Sequence, residues 1–397
     1  MASGKQKSLD HQLPNQPKEI FYCTKCVVSN QRPRITFDED GVCSACSFSA
    51  EKDNVIDWDA RAKELKQLCD KYRRNDGWYD VLVPASGGKD STSVAYKLKH
   101  EYGMNPLTVT WAPFLYTEPG WVNLMNFIQA GYNNILMHPS GHIHRKLAKC
   151  AFEAVGDAFQ PFMYGQYLFP IHMAVKFNIP LVFYGENGEA EYGGDTKNNH
   201  NRGWSLDDYM EYSFKGVNID RMLDWGKEQG YITDSDYNES DLAFYRPPPV
   251  QLLRDNDVQF HWFSYYHKWI PQENYYTAVE RAGFQANDER NEGTYSKYAS
   301  FDDKLDGFHY YLMLIKFGIG RATSDAAHEV RDGHLTREEA VALVQRYDTE
   351  FPQRYFPDFL EYLDITEEKF WEVIDSYRPE HLWKKVGGNW ELKFQVS

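Results

Sequence analysis

The sequence predicts an α/β protein built on a parallel sheet, with a small cysteine-rich module before the sheet and a mostly helical region after it. Three observations predict this class: short apolar runs alternate with helical patterns between residues 80 and 184, two Cys-x-x-Cys pairs precede them, and helical patterns dominate after residue 300. Repeated strand–helix units favour a parallel sheet covered on both faces. The expected parts, in chain order, are a disordered lead-in (1–20), a metal-binding module (21–56), a sheet domain (57–270) with an insertion at about 196–249, and a mostly helical region (271–397).

The composition is that of a globular protein with more than one domain. The chain has 397 residues, of which 25% are charged and 42% hydrophobic, enough to bury a sizeable core. The formal net charge of −15 argues against a nucleic-acid binder that depends on neutralising phosphates. The sequence has no apolar run of about 18 residues and no N-terminal signal peptide. We therefore expect a cytoplasmic protein with neither a nucleic-acid nor a membrane partner.

Four of the six cysteines form two closely spaced pairs, Cys23/Cys26 and Cys43/Cys46, with sixteen residues between the pairs. Each pair can form a turn whose two thiolates face one ion, and two such turns complete a tetrahedral Zn²⁺ site. Four protein ligands leave no position open to water, so the expected role is structural. The alternatives are four unligated buried cysteines or two disulfides, which a reducing compartment disfavours.

The elements predicted along the chain follow from apolar periodicity and from helix start and stop signals. Predicted strands are 81–83, 107–111, 135–137 and 181–184, with a weaker fifth strand within 258–269. Predicted helices are 57–72, 91–102, 118–130, 142–155 and 166–177, followed in the C-terminal region by helices that begin after Thr336 and Thr366. Asp57 and Thr117 are predicted N-caps, and Thr336 with Glu339 forms a capping box. Because ligands of parallel sheets bind beyond the carboxyl ends of the strands, the loops after the first four strands should line one pocket.

The loop after the first strand carries the most informative motif, formed by Ser86, Gly87, Gly88, Lys89, Asp90 and Ser91. The glycines permit a sharp turn and a close approach of the backbone to a ligand. Backbone N–H groups and the two serine hydroxyls then meet at the positive end of a helix, which is a phosphate-binding arrangement. Lys89 adds a positive charge, and Asp90 can hold Mg²⁺. The loop is not a Walker A motif, because Val83 stands where that motif needs a glycine.

The loop after the fourth strand, 185–195, contains four glycines and four carboxylates. Carboxylates beside a phosphate chain repel it unless a divalent cation lies between them. We therefore predict that Glu186, Glu189 or Glu191, together with Asp90, binds Mg²⁺. The alternative is a solvated acidic loop.

Two cations of the helical region are further candidates. Lys304 precedes a helical pattern, and Arg321 lies in a polar stretch, 318–333, that is bounded by glycines. Both are candidate clamps on the β and γ phosphates of a nucleotide, or on phosphates of a second substrate. The alternative is that they form surface ion pairs on a helical face.

These motifs together resemble a known family. The loop 86–91 after a strand resembles the PP-loop of the ATP pyrophosphatases, which cleave ATP between the α and β phosphates, and implies a PP-loop (adenine nucleotide alpha hydrolase-like) domain. With the two cysteine pairs and the segments 184–191 and 318–325, the chain from about Phe21 onward is similar to the N-acetyl sugar amidotransferases. These are PP-loop enzymes of bacterial surface-polysaccharide biosynthesis, including lipopolysaccharide O-antigen and pseudaminic or legionaminic acid pathways. The PP-loop alone identifies only the superfamily.

The resemblance implies an ATP- and Mg²⁺-dependent conversion of an acetamido group, on a free or nucleotide-linked sugar, to an acetamidino group. Adenylation of the amide oxygen would create a leaving group that ammonia displaces, with release of AMP and pyrophosphate. The chain begins Met1-Ala2, and neither Cys69 nor Cys150 lies in a nucleophile elbow, so we expect no glutaminase domain. The resemblance implies a separate glutaminase with a cyclase-like partner as the ammonia source. Candidates for stacking on the sugar, or simply for core packing, are Trp204, Tyr209, Trp262 and Trp269.

Two alternatives remain open at this point. A PP-loop tRNA-modifying thiolase would need catalytic cysteines in the sheet domain and a basic RNA-binding face, whereas Cys150 is the only cysteine after Asp80 and the chain is acidic. A non-catalytic scaffold that binds zinc or ATP is the second alternative. The intact loop, with both serines, Lys89 and Asp90, argues against it.

Overall fold

A computed structural model describes residues 8–204, 210 and 213–397 of the chain. Its centre is a parallel sheet of five strands in the order β3-β2-β1-β4-β5. The strands of this sheet are β1 (Val81–Pro84), β2 (Pro106–Trp111), β3 (Asn133–Met137), β4 (Leu181–Tyr184) and β5 (Gln259–Trp262). A separate antiparallel hairpin consists of β6 (Trp383–Val386) and β7 (Asn389–Leu392). The predicted fold class, an α/β protein with a helical C-terminal region, is confirmed.

Helices connect the strands and form most of the C-terminal region. Up to the end of the sheet they are α1 (Ser44–Asn54), α2 (Trp58–Tyr72), α3 (Lys89–His100), α4 (Glu118–Gln129), α5 (Gly141–Val155), α6 (Gln160–Phe177), α7 (Gly188–Tyr192), α8 (Ile219–Glu228), α9 (Glu239–Leu242) and α10 (Val250–Asp255). The remaining ones are α11 (Phe263–Tyr266), α12 (Pro271–Ala282), α13 (Asp306–Phe317), α14 (Arg321–Arg331), α15 (Arg337–Tyr347), α16 (Phe356–Leu363) and α17 (Glu367–Ser376). Within the described residues, every helix is too short or too polar to span a bilayer.

The strand order places a crevice at the centre of the sheet. β1 pairs with β2 on one side and with β4 on the other, through Leu82↔Leu107 and Leu82↔Val182. The chain therefore continues to one side of β1 first and later crosses to the other side. Connections that leave in opposite directions open a crevice at the carboxyl ends of the two strands, which is where ligands of such sheets bind.

Alternating side chains of β1 build two cores on opposite faces of the sheet. Val81 and Val83 pack against α2 and α3, whereas Leu82 packs against α5 and α6. The side chains of all three residues are almost fully buried. Burial on both faces explains why these strands appear in the sequence as continuous apolar runs.

The C-terminal helices enclose a core of their own, rich in phenylalanine. Phe308 of α13 lies 4.2 Å from Phe359 of α16 between ring centroids, and Phe370 of α17 completes the cluster. The capping box predicted at Thr336 and Glu339 is present. Phe152 of α5 stacks on Phe370 with ring centroids 5.6 Å apart, so this core also packs against the sheet domain.

The N-terminal residues differ from the predicted disordered lead-in. The Leu9 N–H donates to the Ala154 carbonyl at 2.8 Å, and the buried Asp10 carboxylate pairs with Lys316 Nζ at 2.9 Å. A short polar segment thus finds buried partners on α5 and α13 that its own composition does not reveal. Residues 1–7 lie outside the described part of the chain.

Candidate active site

The glycine loop after β1 is a tight turn that leads directly into α3. Gly87 has a φ of +79°, and a Cβ there would lie 2.6 Å from the Leu124 Cα, so no other residue fits. Gly88 is the N-cap of α3 and has no side chain with which to cap it. The first N–H groups of α3 therefore lack a side-chain cap, which favours an anion at this end of the helix.

Lys89 and Asp90 begin α3 and contact each other directly. Lys89 is buried, and its Nζ donates to the Asp90 carboxylate. The other Asp90 oxygen accepts from Asn274 Nδ2 of α12 at 3.0 Å. The two charged groups of the motif are thus held in place, with Asn274 as a support that no local sequence pattern reveals.

Glu186, the second residue after β4, lies across the crevice and within the electrostatic reach of Asp90. Burial, and after it the negative charge of Asp90, raise the pKa of its carboxyl to about 7. Two acidic groups that repel each other at the carboxyl ends of adjacent strands are a suitable oxygen donor set for Mg²⁺. These two residues therefore fit the predicted metal.

The other two predicted magnesium ligands have different partners. The Glu189 carboxylate pairs with Arg34 Nε at 3.1 Å, and the Glu191 carboxylate pairs with Lys52 Nζ at 2.7 Å. Both cations come from the cysteine-rich module. Glu189 and Glu191 thus anchor the acidic loop to this module, and Glu186 is the carboxylate left to act with Asp90.

The four paired cysteines lie together and buried, with all Sγ atoms within 4.8 Å of one another. The Cys23–Cys46 and Cys26–Cys43 Sγ distances are 3.9 and 3.8 Å. A tetrahedral zinc ion with Zn–S bonds of about 2.3 Å requires S···S spacings of about 3.8 Å, so the cluster fits Zn²⁺. All six cysteines are free thiols, so the disulfide alternative does not hold.

The cysteine cluster is connected to the acidic loop through a small number of buried contacts. Arg331 of α14 lies 4.0 Å from Cys26 Sγ and donates to the Glu191 carbonyl at 2.7 Å. Lys52 belongs to α1, the helix that begins directly after Cys43. A metal at the cluster would therefore stabilise the loop that carries Glu186.

The buried pair Lys52–Glu191 supports a stability prediction. Both side chains are at most 3% exposed, so Lys52→Met leaves an unpaired buried carboxylate. We expect this variant to lose about 3–5 kcal/mol of unfolding free energy, measured by urea denaturation. The double variant Lys52→Met/Glu191→Leu should regain most of the loss, because no charge is left unpaired. Equal losses in the single and double variants would show that the pair is not the source of the effect.

The two predicted clamp residues, Lys304 and Arg321, line one cavity of about 690 Å³. Arg321 pairs with Asp325 at 3.0 Å and donates to Ser300 Oγ at 2.9 Å, while Lys304 pairs with Asp358 at 2.7 Å. Among the described residues that line this cavity, none belongs to the loop 86–91. The structure thus brings the two cations together, next to the loop rather than over it.

The aromatic candidates are separated from one another. Trp204 and Trp262 line a small cavity of about 90 Å³ that also contacts Glu186. Trp269 is buried in the core behind β1. It therefore packs in the core, which was the alternative to stacking on the sugar. Tyr209 lies outside the described residues.

Two further residues near the loop, Asp302 and His328, could not be predicted from the sequence. Burial raises the pKa of the Asp302 carboxyl, and the nearby Ser86 hydroxyl opposes this shift. His328 of α14 is buried with neither ring nitrogen hydrogen-bonded. Burial, and then the positive charges of Arg331 and Lys52, lower the pKa of His328 well below its usual value. It is therefore a neutral imidazole beside the Lys52–Glu191 pair.

The sheet, its crevice loop and the cysteine cluster define an α/β protein with an anion-binding and a metal-binding candidate site. Residues 292–396 match the family model described as "LPS biosynthesis protein WbpG-like, C-terminal domain". The match covers the C-terminal part of the chain, and the description of the family points to lipopolysaccharide biosynthesis. A comparison with curated proteins gave no match. The matched segment contains Lys304, Arg321 and His328, and not the crevice loop.

Proposed function

We propose that the protein is an ATP-dependent amidotransferase that converts an acetamido group of a nucleotide-linked bacterial sugar into an acetamidino group. The observation that carries the proposal is the group of Lys89, Asp90 and Glu186 at the crevice, beside the N-terminus of α3. The WbpG-like match supports the choice of a surface-polysaccharide substrate.

In this proposal, the crevice loop binds the β and γ phosphates of ATP. The first N–H groups of α3 donate to phosphate oxygens, and Lys89 Nζ neutralises charge as pyrophosphate leaves. Gly87 permits the backbone to approach the phosphates closely. The loop thus stabilises the leaving group, whose negative charge grows in the transition state.

Asp90 and Glu186 would hold Mg²⁺ in this proposal. The ion would neutralise phosphate oxygens and the two carboxylates at once. Asn274 holds one Asp90 oxygen at 3.0 Å and Lys89 Nζ donates to the other, so the orientation of the carboxylate is fixed. Zn²⁺ at the four cysteines would have a structural role, since the protein supplies all four ligands.

The reaction needs two successive displacements. The amide oxygen of the acetamido group attacks the α phosphorus, an O–P bond forms, and the bond to pyrophosphate breaks. Ammonia then attacks the imidate carbon, the C–O bond to AMP breaks, and one proton is lost to give the amidine. Adenylation is required because an amide oxygen is otherwise a poor leaving group.

Ammonia is proposed to come from a separate glutaminase with a cyclase-like partner. The described residues offer no exposed cysteine to serve as a glutaminase nucleophile, since all six thiols are buried. Ammonium salts should replace such a partner in the assay.

The thiolase alternative is less consistent with the cysteines of the sheet domain. Cys150 and Cys69 are fully buried in the two cores, and burial raises the pKa of each to about 12. A thiol with so high a pKa carries little thiolate at neutral pH and is a poor nucleophile. This burial counts against sulfur transfer by either residue.

The test is a reaction of the zinc-loaded protein with ATP, Mg²⁺, ammonium and a panel of UDP- and CMP-linked N-acetyl sugars. We expect AMP and pyrophosphate, with a sugar product in which NH replaces one oxygen by mass spectrometry. Reactions without ammonium, and reactions with tRNA in place of the sugar, are the controls. AMP formation that depends on tRNA would favour the thiolase, and no turnover of any sugar would contradict the proposal.

A further inference from the structure

A cavity beside the crevice has no ligand assigned to it by the mechanism above. It measures about 690 Å³ and lies between the start of α4, the loop 287–301, the start of α13 and the segment 350–355. This volume is within the usual range for pockets that bind small organic ligands. Most of its lining falls in the segment that matches the WbpG-like domain.

The lining consists of planar polar groups and tyrosines. The segment 287–292 supplies six consecutive amide, carboxylate and guanidinium side chains, and Tyr295, Tyr310 and Tyr355 add ring faces. Planar polar groups can accept and donate pairs of hydrogen bonds, and tyrosine offers both an apolar face and a hydroxyl. A ligand with many hydroxyl or amide groups on a compact ring matches this surface.

Most of the cations of the cavity are already paired with carboxylates. Arg290 pairs with Glu350 at 2.6 Å, Lys304 with Asp358 at 2.7 Å, and Arg354 with Glu289. Their charge is therefore largely compensated, and the cavity does not offer a concentrated positive field for a diphosphate. The neutral part of a ligand is better suited to it than phosphates are.

One acidic group in the lining has no direct partner. The Asp306 carboxyl interacts with the described residues only through longer-range charge effects, without a hydrogen bond, and burial raises its pKa well above the usual value. Arg321, which stacks on Tyr310 at 4.1 Å from the ring centroid, is the nearest source of positive charge. A half-buried carboxyl in a polar cavity is stabilised when a ligand supplies the missing hydrogen bond.

The cavity and the crevice loop share a wall. Thr117 and Pro119 at the start of α4 line the cavity, and Leu124 of the same helix lies against Gly87 of the loop. A group that protrudes from the cavity along α4 would thus face the loop.

We infer that this cavity binds the ring of the acetamido sugar, with Asp306 and Tyr310 hydrogen-bonded to its hydroxyl or amide groups and the acetamido group turned toward Ser86. The inference rests on the proposed function and adds the place and the recognition chemistry of the second substrate. It reassigns Arg321 and Lys304 from nucleotide phosphates to the sugar cavity.

The test compares Asp306→Asn and Tyr310→Phe with the wild type. The substrate is whichever UDP-linked or CMP-linked N-acetyl sugar the wild type converts fastest. We expect each variant to raise the KM for the sugar by about tenfold or more, while the KM for ATP changes by less than about twofold. Asp224→Asn, on the exposed face of α8, makes the same chemical change away from the cavity and should leave both constants unchanged.

The outcomes separate this inference from the proposed function. If the wild type converts a sugar and both cavity variants keep its KM, the inference is overturned and the proposed function stands. If the wild type converts no sugar, both fail. An unchanged KM for ATP also verifies that each variant is folded. If Asp306→Asn proves unstable, Tyr310→Phe, which removes only one oxygen, tests the inference alone.

Discussion

Replacing Lys89 by methionine is expected to lower the rate of AMP formation by about 10²–10³-fold, because the variant loses a buried positive charge where pyrophosphate departs. Lys89 is 8% exposed and its Nζ bonds the Asp90 carboxylate. Methionine has a similar length and keeps the apolar part of the side chain, so the loop should retain its shape. Pyrophosphate release in the presence of ATP, Mg²⁺, ammonium and the acceptor sugar measures the effect.

Two variants make this prediction specific. Lys89→Arg keeps the charge and should lose less activity than Lys89→Met. Lys99→Met makes the same change at an exposed position of the same helix, where the Nζ bonds the Gly131 carbonyl, and should keep nearly full activity. If Lys89→Met releases pyrophosphate as fast as the wild type, the loop does not bind the leaving group in the proposed way.

The crevice loop could be predicted from the sequence because its determinants are local. Six consecutive residues specify the turn, the helix N-terminus and the two charges, and Gly87 adopts the positive φ that only glycine takes easily. The supporting contacts of Asn274 and Asp302 could not be predicted in this way. They come from segments about two hundred residues further along the chain.

The strands were predicted more accurately than the helix boundaries. Strands buried on both faces leave continuous apolar runs, and β4 has the same limits in the prediction and the structure. α6 begins at Gln160, whereas the predicted helix begins at residue 166. The first turn of α6 was missed because Gly165 interrupts the helical pattern in the sequence. A Cβ at Gly165 would lie 2.0 Å from the Trp111 ring, so this glycine is required for close packing of α6 on the sheet.

The C-terminal hairpin was not predicted, although a signal for it is present. Gly387 and Gly388 both have positive φ values and connect two short strands, which is the pattern of a tight hairpin turn. The strands β6 and β7 are largely exposed, so they lack the apolar run that made the central strands recognisable.

The acidic loop shows the limit of a prediction based on residue type. Its carboxylates are equivalent in sequence, but Glu189 and Glu191 pair with Arg34 and Lys52 while Glu186 does not. The choice depends on how the cysteine-rich module packs on the sheet domain. A sequence pattern predicts that an acidic loop lies at the crevice, and only tertiary contacts determine which carboxylate remains for Mg²⁺.

Removal of zinc is the second change with a large expected effect. A structural zinc ion contributes an apparent free energy of about 10–16 kcal/mol to the folding of small zinc modules, and the four thiolates have no other bond that holds them together. Treatment with a strong chelator, or the variant Cys46→Ser, should therefore unfold the module over residues 21–56. We expect Tm to fall by on the order of 10 °C and AMP formation to be lost.

The loss of activity follows from the contacts between the module and the acidic loop. Lys52 and Arg34 pair with Glu191 and Glu189, so an unfolded module releases the loop that positions Glu186 opposite Asp90. Cys69→Ala removes an equally buried thiol outside the cluster and should keep the zinc content, measured by elemental analysis, together with most of the activity. Full activity in metal-free protein would show that the acidic loop is positioned without the module, and the structural role of the cysteine cluster would have to be abandoned.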